Sequence, residues 1–124
     1  MNQQRILVVE DERVVARDIA MQLQDLGLEV YGPVSTGELA LEMAARLCPD
    51  LVLMDIHLDG AMDGIAAAQA LRDQWGVPCI FMSAFGDNID LLARAKLVEP
   101  MGYLEKPFGE HELRGVLARA LEKS

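Results

Sequence analysis

Short apolar runs alternate along the chain with longer stretches whose apolar residues recur every three or four positions. The runs RILVV (5–9), EVYGPV (29–34), LVLM (51–54), CIFMS (79–83) and GYLE (102–105) predict strands. The stretches between them predict helices. In the first, Val15, Ile19, Leu23 and Leu26 share a face that Gly27 closes. The second opens on Ser35-Thr36-Gly37-Glu38, a capping-box pattern, and carries Ala40, Met43, Ala44 and Leu47 on one face. Asp63 is placed to cap a third, with Ile65, Ala68, Leu71 and Trp75. Ile89, Leu92, Ala93 and Leu97 mark a fourth that ends near Pro100. The fifth holds Leu113, Val116, Leu117, Ala120 and Leu121, with Glu110 and Glu112 favourably placed in its first turn. Gly115 weakens that helix by about 1 kcal/mol relative to alanine. No internal repeat, linker or low-complexity segment interrupts the pattern.

Five strand–helix units with short connections imply an α/β fold, a doubly wound parallel sheet with helices on both faces. The first, third and fourth strands are continuously apolar, as central parallel strands are. The second contains Gly32 and Pro33, and proline belongs on an edge. The fifth is short and mixed, which suits the other edge. The order 2-1-3-4-5 of the flavodoxin-like (βα)5 folds meets these conditions. It directs a ligand to the carboxyl ends of strands one and three.

A chain of 124 residues, 52% apolar and 25% charged, is expected to form one soluble globular domain over residues 1–124, either stand-alone or cut from a longer protein. Eleven basic against twenty acidic residues give a net charge of −9, which argues against nucleic-acid or anionic-membrane binding by this domain alone. No apolar run approaches a membrane span, and the N-terminus enters a strand without a signal-peptide pattern. Cys48 and Cys79 read as two reduced core thiols rather than a disulfide, and the expected compartment is the cytoplasm.

Candidate chemistry lies at the strand ends. Strand one runs into Glu10-Asp11-Glu12, and strand three runs straight into Asp55. Adjacent strands are about 4.8 Å apart, so these acids share one crevice. Two carboxylates ~4 Å apart repel by about 4 kcal/mol at an effective dielectric near 20, so a cation is expected there. All-oxygen ligation with room for water suits Mg²⁺ better than zinc, and His57 and His111 show no zinc-ligand spacing with the cysteines. Strand four adds the Ser83 hydroxyl and strand five adds Lys106. Phosphoryl transfer to a carboxylate needs these parts: a nucleophilic acid, with metal and ammonium to neutralise the equatorial oxygens.

Each residue alone has a plainer reading. Asp55 suits a turn, Glu10-Asp11-Glu12 a solvated helix start, Ser83 a helix cap and Lys106 a surface charge. Four strand ends delivering complementary groups to one rim outweigh those readings. Asp63 is assigned to capping, Asp59-Gly60 to a turn, and the His57 side chain to an exposed loop. Trp75 and the methionines are assigned to the core.

The segments ILVVEDE, LVLMDIHLDGAMDGI, IFMSAF and GYLEKPF resemble the motifs of response-regulator receiver domains of two-component signal transduction, over essentially the whole chain. The resemblance implies that Asp55 is the phosphoacceptor and that Glu10 and Asp11 are the acidic pair. Asp11 and Asp55 would bind Mg²⁺ by their side chains and His57 by its backbone carbonyl. Ser83 and Lys106 would contact the phosphoryl group, Tyr103 would be the switch partner of Ser83, and Lys106-Pro107 would be cis. It also implies a signalling switch that catalyses its own phosphorylation and dephosphorylation rather than a turnover enzyme, read out on the face of helix four, strand five and helix five. The implied partners are a sensor histidine kinase or phosphotransfer protein and an output domain or protein, with homodimerisation on phosphorylation left open. The loop HLDGAMDG departs from the family pattern, being one residue longer and lacking its proline. Ser83 stands where threonine is commoner.

Three other classes compete. A haloacid-dehalogenase-like phosphatase needs an Asp-x-Asp, which Asp55-Ile56-His57 lacks. A flavodoxin needs a hydroxyl-rich phosphate loop where this chain has three acids. A degenerate, binding-only receiver would have lost groups that are all present here.

Overall fold

The computed structural model describes residues 4–58 and 60–123. The turn expected at Asp59-Gly60 therefore lies partly outside the described residues. Five strands, β1 (Arg5–Val9), β2 (Glu29–Val34), β3 (Leu51–Asp55), β4 (Cys79–Ala84) and β5 (Gly102–Lys106), alternate with five helices. These are α1 (Arg13–Asp25), α2 (Gly37–Leu47), α3 (Gly64–Trp75), α4 (Ile89–Leu97) and α5 (Glu110–Lys123). All strand pairs are parallel and the sheet order is β2-β1-β3-β4-β5, as the edge signals predict. Strands β3, β4 and β5 each run one residue further than the apolar pattern, so Asp55, Ala84 and Lys106 are the last residues of their strands. At the β2 edge, Gly32 and Pro33 fall where the register with β1 shifts between Leu7 and Val9. A side chain at Gly32 (φ +89°) would come within 2.8 Å of Val34 N. Lys106-Pro107 is cis, as the resemblance implies, and Gly32-Pro33 is cis as well.

Alternation along the central strands divides the core in two. Leu7, Val9, Val52, Met54 and Phe81 face α2, α3 and α4, whereas Ile6, Val8, Leu51, Leu53 and Met82 face α1 and α5. Because β1, β3 and most of β4 are buried on both faces, the sheet centre cannot move without opening one of two packed layers. Local signals set the helix ends. Thr36, rather than Ser35, caps α2 by accepting Leu39 N–H at 3.1 Å, and Asp63 caps α3 by accepting Ala66 N–H at 2.8 Å.

Several expected core positions differ. Helix α4 buries only Ala95 fully, with Val98 just beyond it and Leu91 and Leu92 half-covered. Ile89 and Leu97, expected on its inner face, are 81% and 79% exposed. Apolar residues occur on both sides of this short helix, and Leu91, Leu92, Ala95 and Val98 are the ones that join the core, while Ala93, also expected inside, is exposed. Trp75, assigned to the core, is the last residue of α3 and is 37% exposed. Met54 and Met82 are core, but Met21 is exposed. Cys48 is also exposed: it caps α2 in the left-handed conformation (φ 48°), which turns its side chain off the apolar face. Cys79 is buried as expected, and its thiol is pushed up to about 12 by burial. Among the described residues, no helix is long and apolar enough to cross a membrane.

Candidate functional site

At the carboxyl end of the sheet an open crevice of about 650 Å³ is lined by Asp11, Asp55, His57, Ala84 and Lys106, among others. The acids come from adjacent strands. Residue 10 follows β1 directly, and Asp55 ends β3, whose Met54 pairs with Val9. Carboxylate oxygens of Glu10, Asp11 and Asp55 lie within 4.8 Å of one another. Glu10 and Asp55 are almost fully buried, each only 2% exposed.

Lys106 reaches the pair from β5. Its Nζ is 2.6 Å from Glu10 Oε1 and 3.3 Å from Asp55 Oδ2. Glu10 Oε2 accepts the Glu12 N–H at 3.1 Å, and Asp55 Oδ1 accepts the His57 N–H at 3.0 Å. Burial, and then the neighbouring Glu10 carboxylate, push Asp55 up to about 7; Lys106 and the His57 N–H act against this without reversing it. Burial pulls the Lys106 ammonium down, but its hydrogen bond to Glu10 and the charge of Asp55 outweigh that and hold it above its ordinary value. The lysine therefore stays charged while the acids remain crowded.

This donor set fits Mg²⁺. It is all oxygen, it is anionic, and its third member opens onto a solvent-filled crevice. Oxygens bound to one Mg²⁺ at about 2.1 Å lie at most ~4.2 Å apart, so the observed spread suits an ion that keeps several waters. Both oxygens of Glu10 already accept hydrogen bonds, and both oxygens of Asp55 face donors as well, from the His57 N–H and Lys106.

The remaining expected residues are arranged differently. Ser83 is buried one residue before the end of β4, and among the described residues no hydrogen bond joins it to Asp55. Tyr103, on β5 opposite Phe81, is 43% exposed with its ring centroid 6.3 Å from that of Phe81. The His57 ring is half-exposed, as expected of a loop side chain, but it is not free: Nε2 lies 2.6 Å from Asp87 Oδ1. Asp63, assigned only to capping, also pairs with Arg94 of α4 at 3.2 Å. Two features of the site escaped the sequence pattern. Asp87 belongs to no motif. Gly64 lies so close under Asp55 that a Cβ there would overlap the Asp55 carbonyl oxygen. For Gly64 there was a signal, since a glycine directly after a capping aspartate is a poor helix former and must be kept for space.

The family model for the response regulator receiver domain matches residues 6–118. Transcriptional regulatory protein PdtaR of Mycobacterium tuberculosis is 34% identical over 119 residues, 96% of this chain and 57% of that protein. DNA-binding response regulator MtrA of Mycolicibacterium paratuberculosis is 36% identical over 110 residues, 89% of this chain and 48% of that protein. The chain thus spans about half the length of the curated relatives it matches. Among solved structures, the signal receiver domain of a modulated diguanylate cyclase from Desulfovibrio desulfuricans superposes with a TM-score of 0.93. It is 37% identical, with 98% of this chain and 96% of that chain covered. The receiver domain of NtrX from Brucella abortus gives a TM-score of 0.88 at 34% identity, covering 96% and 99%.

Proposed function

Because this chain belongs to the response-regulator receiver family of two-component signal transduction, whose members are phosphorylation-regulated switches rather than turnover enzymes, we propose that Asp55 is its phosphoacceptor. The observation that carries this is a buried carboxylate at the end of β3 with an ammonium 3.3 Å away and two further acids beside it. An Asp55 carboxylate oxygen attacks the phosphorus of the donor, and the bond to the donor's leaving atom breaks with its electron pair. Lys106 and Ser83 contact the phosphoryl oxygens. Glu10, Asp11, Asp55 and the His57 carbonyl would hold Mg²⁺, which would supply neutralisation of the charge on the transferring group. Lys106 must loosen from Glu10 to follow the phosphoryl group, so its present contact is the resting arrangement.

Phosphorylation then draws the Ser83 hydroxyl inward, and Tyr103 turns into the space left beneath α4. The face of α4, β5 and α5 reports the state to an output domain or protein, or to a second copy. A helix that buries little more than Ala95 costs little to move, which supports that choice of face. The phosphoryl donor is a sensor histidine kinase or phosphotransfer protein, which places the domain in the cytoplasm. Residues 1–124 act alone or as the receiver part of a longer protein. With His57 two residues after Asp55 and its ring turned to Asp87, that position offers no second acid for a phosphatase mechanism.

Intact mass after incubation with acetyl phosphate and Mg²⁺ tests the assignment. The wild type should gain one phosphoryl group and Asp55→Asn none. An Asp55→Asn protein that still gains the mass refutes the assignment.

A further inference from the structure

The loop after Asp55 and the loop after Ser83 are tied together by two side chains that the chemistry above does not use. His57 Nε2 lies 2.6 Å from Asp87 Oδ1. The other Asp87 oxygen, Oδ2, accepts the Ala84 N–H at 2.8 Å, and Asp87 N–H donates back to the Ala84 carbonyl at 3.2 Å. At the opposite end the His57 N–H donates to Asp55 Oδ1 at 3.0 Å. A single run of polar contacts therefore joins the carboxylate of Asp55 to the backbone directly after Ser83. The Asp87 side chain is only 9% exposed. An ionised carboxylate can only accept, so His57 Nε2 is the donor.

Taking Asp55 as the acceptor, as proposed above, we infer that the His57–Asp87 pair is a latch that holds the β4–α4 loop in its unphosphorylated arrangement and so slows phosphorylation. Ser83 cannot move toward a phosphoryl group on Asp55 without carrying Ala84. The Ala84 N–H then leaves Asp87, or Asp87 is pulled from His57. Either way a contact present at rest is lost on the way to the phosphorylated state. The plainer reading is a rim ion pair of no consequence, since such pairs contribute little where one partner is half-exposed.

His57→Ala separates the two. It removes the ring but keeps the His57 N–H, its carbonyl and the Asp87 charge. If the pair is a latch, His57→Ala takes up phosphoryl from acetyl phosphate roughly two- to tenfold faster, the span open to one ordinary hydrogen bond. If the pair is only a rim contact, His57→Ala reacts no faster than wild type. His57→Gln, which restores a donor toward Asp87, should return close to the wild-type rate and so exclude simple widening of the crevice. A second measurement needs no phosphorylation. The Ala84 amide should be protected from hydrogen exchange in the resting wild type and lose that protection in His57→Ala. A His57→Ala protein that is no faster than wild type, or an Ala84 amide that keeps its protection, overturns the latch. A wild type that gains no phosphoryl mass overturns the acceptor assignment instead, and Ala84 exchange still decides the latch.

Discussion

Gly64→Ala is the smallest change that should damage both the fold and the site. A Cβ on Gly64 overlaps the Asp55 carbonyl oxygen and comes within 2.8 Å of the Asp55 carbonyl carbon and 3.0 Å of the Ile56 Cα. All three obstacles are backbone, so no side-chain rotation relieves them. That backbone is held in turn: Ile56 N–H donates to the Met82 carbonyl at 3.0 Å, and Gly64 N–H donates to the Ile56 carbonyl at 3.2 Å. Either α3 lifts away, uncovering Ala67, Ala68 and Leu71, or the end of β3 tilts and takes Asp55 with it. Overpacking of this kind costs about 1–3 kcal/mol, and the gain in helix propensity, at most about 1 kcal/mol, does not offset it at a helix start. For a domain of this size that is a fall in Tm of about 5–15 °C. A displacement of Asp55 approaching 1 Å should also slow phosphoryl uptake by as much as ~100-fold. Gly115→Ala is the control. Its Cβ would meet only the Arg119 guanidinium at 3.8 Å, so it should raise Tm by a few degrees. A Gly64→Ala protein that melts within about 2 °C of wild type, well short of that fall, and is phosphorylated at the wild-type rate would show the contact to be soft, and the reasoning would fail.

Mg²⁺ should raise the melting temperature of the wild type by mass action, about 2.7 kcal/mol at a hundredfold excess over Kd; Asp11→Asn should be more stable without metal and should not respond to it. An Asp11→Asn melt that still climbs with Mg²⁺ as steeply as wild type would remove Asp11 from the ligands. Under chelation, Asp55 carries in the fold a proton that it has lost in the unfolded chain above its ordinary 3.8. A carboxyl raised on folding stabilises at low pH and loses that contribution as pH rises, here from about 4 to about 7. Metal-free Tm should therefore decline across that window, and Asp55→Asn should flatten the decline. A thiol reagent at about pH 8 should label Cys48 alone in the native protein, Cys79 being buried and pushed up to about 12; equal labelling of both would contradict the burial described.

What the sequence revealed divides along physical lines. Strands β1, β3 and β4 are legible because burial on both faces leaves an unbroken apolar run, and the edges because proline and mixed polarity are tolerated only there. Asp55 and Glu10 follow from the same pattern, since each is the charge at which an apolar run stops, and Lys106 comes one residue after Glu105 ends the fifth run. In helix α4, Ile89, Leu91, Leu92, Ala93, Ala95 and Leu97 put apolar groups all round the helix, so periodicity alone cannot choose the inner face. Cys48 was misplaced because the helix ends one residue before it. The His57–Asp87 pair joins two loops 30 residues apart, and loops have no period from which such a meeting can be read.

The salt bridge between Lys106 and Glu10 spans 96 residues of the chain. Glu10 follows the first strand of this domain and Lys106 ends its last, and the four strands β2 to β5 lie between them. Until β5 has docked beside β4, the carboxylates at the end of β1 and β3 face each other without their ammonium. A chain in which β5 has not docked would therefore hold the proposed acceptor without the ammonium beside it. With Asp55 as the acceptor proposed above, phosphoryl uptake would report a sheet assembled to its last strand.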